Sequence, residues 1–259
     1  IWLSVKTSEK KIIHLKNSYD FIMSGNQNIL RLAKKNKFKN LELLISSPFF
    51  TKVTQKKFIE RNKSIYFSGS LGNDFKYRLE VLLYICQKFK TKFRIRNLVE
   101  KYYILQFFNN KLMFFFPKIA NYLFKKKILP LSNNLKYLNN DEIFGKKLIK
   151  EMSKYQFVIN IHSNFDQNNN INSRVYEALS CGCLLFCEEN KYMRKIFVKN
   201  KHVVYFNSLE DLEKKLNFYK QNQNKAFLIS KNGNLHFNRY HTSTERIKKF
   251  KKIINKIIN

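Results

Sequence analysis

Glycine and proline are scarce in this chain, six and three among 259 residues. Collagen-like repeats and Gly/Pro-rich low-complexity sequence are therefore excluded. Acidic side chains are also few: 18 Asp and Glu face 50 Lys and Arg, a formal net charge of +32. Cys86, Cys181, Cys183 and Cys187 are too few to form a disulfide scaffold in a chain of this length, so a reducing compartment is expected. No run of about 18 or more uncharged apolar residues is present, which predicts no transmembrane helix. No signal peptide is expected either. Asp20, Asp74, Asp141, Asp166 and Asp211 stand isolated, so the sequence holds no Asp-x-Asp clamp for a metal ion.

Hydrophobic residues make up 44% of the chain and aromatics 15%, enough for a sizeable core and too much for intrinsic disorder. The length suits one large or two smaller domains of roughly 100–200 residues. The charge points toward an anionic partner: phosphate ligands, an acidic membrane surface or nucleic acid. Abundant Lys, Asn, Ile and Phe is also what an AT-rich genome produces without selection for binding. In the stretch 101–138, Tyr102, Tyr103, Phe107, Phe108 and Phe114–Phe116 alternate with lysines that include Lys125–Lys127. Three readings are open there: buried helices with a basic solvated face, a surface resting on an anionic membrane, or a platform for single-stranded nucleic acid.

Along the chain, strands and helices alternate. Tyr19–Met23 reads as a strand closed by Ser24-Gly25, Asn28–Lys37 as a helix and Leu41–Ile45 as a second strand. Phe50–Lys63 reads as a polar, basic connection. A second unit opens with a strand at Ser64–Ser68, a turn through Gly69-Ser70-Leu71-Gly72 and an amphipathic helix from Phe75. Further strands are predicted at Phe157–Ile161, Cys183–Cys187 and Val203–Phe206. Further helices are predicted at Ser173–Ser180, at Leu209–Tyr219 behind the cap Ser208, and around Ile247–Ile257. This order implies an α/β fold with a Rossmann-like parallel sheet covered on both faces.

The string from Asn172 to Leu185 is the most informative. A polar loop enters a short helix that ends at Gly182 and feeds a buried strand. Arg174 falls in the first turn, where free backbone amides already favour an anion. Glu177 follows three residues later on nearly the same face. An arginine for a diphosphate and a glutamate accepting from two vicinal hydroxyls suit a nucleotide sugar. An Arg–Glu pair on a helix surface is the alternative. Cys181, Cys183 and Cys187 read as small apolar packing groups rather than metal ligands. His202 and His241 read as packing or surface groups.

This string resembles the C-terminal domain of GT-B glycosyltransferases, group 1-like, whose members carry an Arg-x-(Phe/Tyr)-Glu-Ala-x-x-x-Gly element. Phe144-Gly145 and Lys154–His162 are similar to the segment leading into the family's donor loop. Phe197–Phe206 is similar to its following strand, and His241-Thr242 with Arg246 to its closing element. Gly69-Ser70-Leu71-Gly72 with Arg78 resembles the opening of the same domain. The resemblance spans roughly residues 60–250, and the stretch 101–138 falls outside it.

The resemblance implies a donor-binding domain over residues 60–259, with an aromatic and basic insertion near 101–138. The last β-α-β of an acceptor domain plus a linker would occupy residues 1–55. It implies that Glu177 holds the donor ribose, that Arg174, Asn172 and Ser173 lie near the diphosphate, and that Gly69 and Ser70 approach the phosphates. Arg78 adds positive charge, and His162, at the end of its strand, is the catalytic candidate. Where many members carry a first glutamate, this chain has Asn169. The expected activity is sugar transfer from a nucleotide-diphosphate sugar to a glycan or lipid-linked acceptor, with retention and without a metal or other cofactor. The expected location is cytoplasmic, peripheral at the inner membrane face. A basic nucleic-acid-binding protein, which no recognition motif supports, and a noncatalytic partial donor domain are the alternatives. With about 50 residues ahead of the resemblance, the chain is expected to be partial or to need another chain.

Overall fold

The computed structural model describes residues 21–24, 27–38, 40–43, 56–70, 75–96, 138–139, 143–162 and 171–258. Strand β1 (Phe21–Ser24) pairs in parallel with β2 (Asn40–Leu43), and helix α1 (Gln27–Lys35) joins them. This is the β-α-β unit predicted from the apolar runs on either side of a lysine-rich helix.

The remaining strands form a six-stranded, fully parallel sheet. They are β3 (Asn62–Ser70), β4 (Thr91–Arg96), β5 (Leu138–Asn139), β6 (Tyr155–Asn160), β7 (Leu184–Glu188) and β8 (Val204–Phe206). Their spatial order is β5-β4-β3-β6-β7-β8. The chain thus builds outward from β3 in one direction, then returns and builds outward from β6 in the other. Such a reversal opens a crevice at the carboxyl ends of the two central strands.

Period-two alternation buries both faces of the sheet. Ile65, Phe67, Phe157, Ile159, Leu184 and Phe186 join one apolar cluster, together with residues of α2 (Phe75–Lys88) and α6 (Leu209–Gln221). Tyr66, Val158, Leu185 and Cys187 join the other, together with residues of α3 (Gly145–Met152), α4 (Ser173–Ser180) and α5 (Lys191–Ile196). Helix α7 (Gln223–Tyr240) contributes Ala226 and Ile229 to the first cluster and Phe237 to the second. Helix α8 (Ser243–Ile258) follows. The expected α/β class, with helices on both faces of a parallel sheet, is the observed one.

Five elements of this sheet and its cover are absent from the sequence reading: β4, β5, α3, α5 and α7. In β4, Phe93 and Ile95 are buried, but Lys92, Arg94 and Arg96 between them disguise the alternation. The connection predicted over Phe50–Lys63 is partly core. Phe58 is buried and meets the Phe157 ring edge-on at 6.4 Å, and its carbonyl accepts from Gln156 Nε2 at 2.9 Å. The predicted Ser208 cap is present: its hydroxyl accepts from the Asp211 amide at 3.1 Å. The aromatic and basic residues 101–137 lie outside the described residues, as do the loop 163–170 with Asn169 and the turn residues Leu71–Asp74.

Candidate functional site

The crevice is framed by the carboxyl ends of β3 and β6 and by the start of α4. Asn172, with extended backbone (φ −72°, ψ 160°), stands at the N-cap of α4 but makes no side-chain cap bond. Its Oδ1 is buried and, among the described residues, has no hydrogen-bond partner. Ser173 is exposed at the first position of the helix. Helix α4 ends in a Schellman arrangement: Gly182 takes φ +61°, its amide donates to Leu179 O, and the Cys183 amide donates to Ala178 O. The left-handed residue is the glycine that the sequence places there.

Arg174 and Glu177 meet one helical turn apart through a direct ion pair. The pair is not the surface feature of the alternative reading. Glu177 is only 7% exposed, and Arg174 Nε donates to Ser68 O of β3 at 2.8 Å. One side chain therefore ties the helix start to the strand end while holding a buried carboxylate. Arg78 does the corresponding work from α2. Its guanidinium donates to Ser70 O at 2.6 Å and to Ile161 O at 3.0 Å, bridging the ends of β3 and β6 where the strand order reverses. It is buried, so its charge is fixed beneath the crevice.

Gly69 and Ser70 are placed differently from the prediction. Both belong to β3, where they pair with Ile95 and Arg96 of β4, so they are strand rather than turn; the rest of the expected turn lies outside the described residues. The unpredicted strand β4 supplies the ladder that carries β3 this far. A Cβ at Gly69 would stand 3.2 Å from the Phe67 ring, a tight fit.

His162 lies two residues beyond β6 and is 1% exposed. Its amide donates to Glu188 Oε2 at 2.7 Å, and its Nε2 lies 3.2 Å from Met193 Sδ. Nδ1 is buried without a hydrogen-bond partner among the described residues. Burial, reinforced by the charge of Arg78, pushes the imidazole down to about 4, so it is neutral at pH 7.

Sequence reasoning missed Glu188 here. Glu188, at the carboxyl end of β7, accepts from the His162 amide and from the Tyr77 hydroxyl of α2. The signal available was a carboxylate at the exit of a buried strand, beside the crevice. The cysteine reading is consistent with their contacts. Cys181 Sγ lies 3.5 Å from Ile149 O and Cys183 Sγ 3.4 Å from Tyr155 O, both buried. Among the described residues no His, Cys, Asp and Glu group is arranged to hold a metal ion, and no helix is long and apolar enough to cross a membrane.

Residues 117–252, just over half of the chain, match the family model described as glycosyl transferase-like. The match starts inside the stretch 101–138 that the sequence resemblance had left out, and ends close to the predicted limit. No curated protein matches the chain. Solved structures share its fold at low identity. TarM from S. aureus, as a mutant in complex with fondaparinux, alpha-GlcNAc-glycerol and UDP, is 14% identical with a TM-score of 0.62, over 95% of this chain and 46% of that one. HepE from Anabaena in complex with UDP and glucose is 10% identical with a TM-score of 0.64, over 96% and 68%. An alpha-glucosyltransferase in complex with UDP is 12% identical with a TM-score of 0.62, over 95% and 68%. The chain thus spans about half the length of the TarM structure.

Proposed function

The chain belongs to the glycosyl transferase-like family, and on that premise we propose that it is a GT-B glycosyltransferase using a nucleotide-diphosphate sugar. The observation that carries this reading is the buried Arg174–Glu177 pair at the start of α4, anchored to β3 across the strand reversal. The UDP-bound states of the structurally similar proteins support the choice of ligand.

In this reading the donor lies across the carboxyl ends of β3 and β6. Arg174 occupies one oxygen of Glu177, and the other accepts from the ribose hydroxyls. The first amides of α4, at Ser173 and Arg174, face the diphosphate with the positive end of the helix. Asn172 Oδ1 accepts from a ligand hydroxyl, and Gly69 and Ser70 form the wall beside the phosphates. As the glycosidic bond breaks, negative charge grows on the departing diphosphate. Arg174 and Arg78 are already in place to stabilise it, which takes the part a metal ion plays elsewhere. His162 acts as a neutral imidazole whose Nδ1 meets a hydroxyl of the transferred sugar. Transfer retains configuration, and the acceptor is a glycan or a lipid-linked chain.

Work at the cytoplasmic membrane face fits α8, where Ile247 and Phe250 are exposed among Lys248, Lys249, Lys251 and Lys252. Binding to vesicles with anionic lipid, and not to neutral ones, is the expected outcome. The donor reading is tested by thermal melting: UDP or GDP raises the melting temperature of the wild type, and Glu177→Ala abolishes the shift. No shift with any nucleoside diphosphate rejects it. A nucleotide shift without sugar transfer to any acceptor favours the alternative of a noncatalytic donor-binding domain.

A further inference from the structure

Helices that join parallel strands run antiparallel to them, so their last turns lie at the amino edge of the sheet, away from the donor crevice. The end of α5 and the loop Phe197–Val203 lie at that edge, and with α7 and α8 they enclose an open cleft of about 620 Å³. Lys195, Lys201, Arg239 and Lys249 converge on it from these four segments, and among the described residues no Asp or Glu lines it. None of the four is paired with a carboxylate among the described residues.

The cleft floor is built from imidazoles. His202 stacks on His236 with ring centroids 4.2 Å apart, and His236 lies 5.3 Å from His241. The Val198 amide donates to His202 Nδ1 at 3.2 Å, so in the neutral ring the proton sits on Nε2. These side chains are held in place. His202 and His241 are buried, and His241 also packs on Tyr176 and Phe197. Four cations gathered without a counter-charge, over a rigid set of imidazoles, form a focused positive potential in a concave site.

We propose that this cleft is an anion site for a phosphate-bearing ligand, distinct from the donor crevice at the opposite edge of the sheet. The cations supply charge-assisted hydrogen bonds, the His202 Nε2–H supplies a further donor, and Leu235 and Tyr240 give the ligand an apolar wall. The site responds to pH. Burial first, and then the surrounding positive charges, hold His202 down to about 4 and His241 to about 3, and lower His236 as well. The groups around these rings are Lys195 from α5, Lys201 from the loop, Tyr176 from α4, Arg239 and Tyr240 from α7, and Arg246 and Lys249 from α8. Among the described residues, the charged and titratable groups that face the rings are cations and neutral phenols, so a bound phosphate raises all three imidazoles. Affinity therefore increases as pH falls from about 7 to about 5.

The test is calorimetric titration with inorganic pyrophosphate at low salt. Lys201→Glu/Lys249→Glu is compared with Lys63→Glu/Lys214→Glu, an equal charge change at exposed lysines outside the cleft. The cleft variant should bind at least tenfold more weakly than wild type and the control variant less than twofold. Equal weakening in both, or no binding by the wild type, overturns the proposal. Lys201→Ala/Lys249→Ala gives a milder second variant should the double glutamate unfold, and must show the same ordering. Sedimentation with phosphatidylglycerol or phosphatidylcholine vesicles separates the sources of phosphate. If Lys201→Glu alone, which leaves every α8 lysine in place, loses both pyrophosphate and phosphatidylglycerol binding, the ligand is a lipid head group. If it loses pyrophosphate binding alone, the ligand is a free phosphate compound.

Discussion

The guanidinium of Arg61 lies 2.8 Å from the carbonyl oxygen of Cys181, 120 residues further along the chain. The same Nη1 donates to Gly182 O at 2.9 Å, and Nε donates to Lys56 O at 3.0 Å. One buried cation therefore closes the carboxyl end of α4, the helix whose opposite end frames the crevice, and ties it to the segment before β3.

Arg61→Ala leaves two buried carbonyls without a donor, each worth about 1–3 kcal/mol, so a loss of about 2–6 kcal/mol is expected. Urea unfolding measures it, and a loss below about 1 kcal/mol contradicts the capping role. Arg61→Lys recovers only part of the loss, because an ammonium lacks the planar fork that reaches several carbonyls.

Glu177→Gln keeps the shape of the side chain and removes the charge that faces Arg174. Arg174 is 22% exposed on its side chain, so water screens part of the pair and the stability cost stays near ~1 kcal/mol. In the proposed donor mode the effect on UDP affinity is larger, at least about tenfold weaker, because hydrogen bonds from ligand hydroxyls to the carboxylate would be charge-assisted. Calorimetric titration with UDP reads this. Unchanged affinity in a folded variant removes Glu177 from the donor site.

His162 titrates at about 4 in the folded chain and at about 6.5 when unfolded. Below about pH 6.5 the unfolded chain takes up the proton first. Stability is therefore lost as pH falls toward about 4, with no further loss from this group below that. The full difference corresponds to ~3 kcal/mol. His162→Gln flattens that part of the curve; His202, His236 and His241 leave a remainder of the same sign. Urea midpoints at about pH 7, about 5.5 and about 4.5 decide the matter. Parallel curves for wild type and variant mean that His162 does not fold as a buried neutral ring.

Gly233→Ala sets two effects against each other. Alanine gains about 1 kcal/mol of helix propensity over glycine. Its Cβ, however, would stand 2.5 Å from the His202 carbonyl oxygen and 2.8 Å from Leu179 Cδ2, forcing α7 away from its neighbours. Overpacking of this kind costs roughly 1–3 kcal/mol, so a net loss is expected in thermal melting. A stabilised variant shows that α7 is free to shift.

Strands β6 and β7 and helix α4 are legible in the sequence because each is decided by neighbours in the chain. Buried strands give continuous apolar runs, and α4 carries its own Gly182 stop. Strand β4 is hidden because Lys92, Arg94 and Arg96 break its run. Helix α7 is hidden because Asn224, Asn232, Asn234 and Asn238 dilute an apolar stripe of Ala226, Ile229, Gly233 and Phe237. Arg174 and Glu177 are identifiable from their spacing and surroundings. Arg61 and Glu188 are not, since their roles are set by partners far along the chain. Gly69 and Ser70 read as a turn for the same reason: the strand that extends β3 lies two elements away.

The reversal of strand order between β3 and β6 has a thermodynamic consequence. The half-sheet beginning at β3 and the half-sheet ending at β8 are each continuous in sequence, and each could zip up on its own. The crevice belongs to neither; it exists only while the seam between them is closed and Arg78 spans it. A ligand bound there grips both halves and penalises every state in which they separate, by RT ln(1 + [L]/Kd). The nucleotide would then act as a latch on the whole sheet, slowing hydrogen exchange in β4 and β8 although it touches neither.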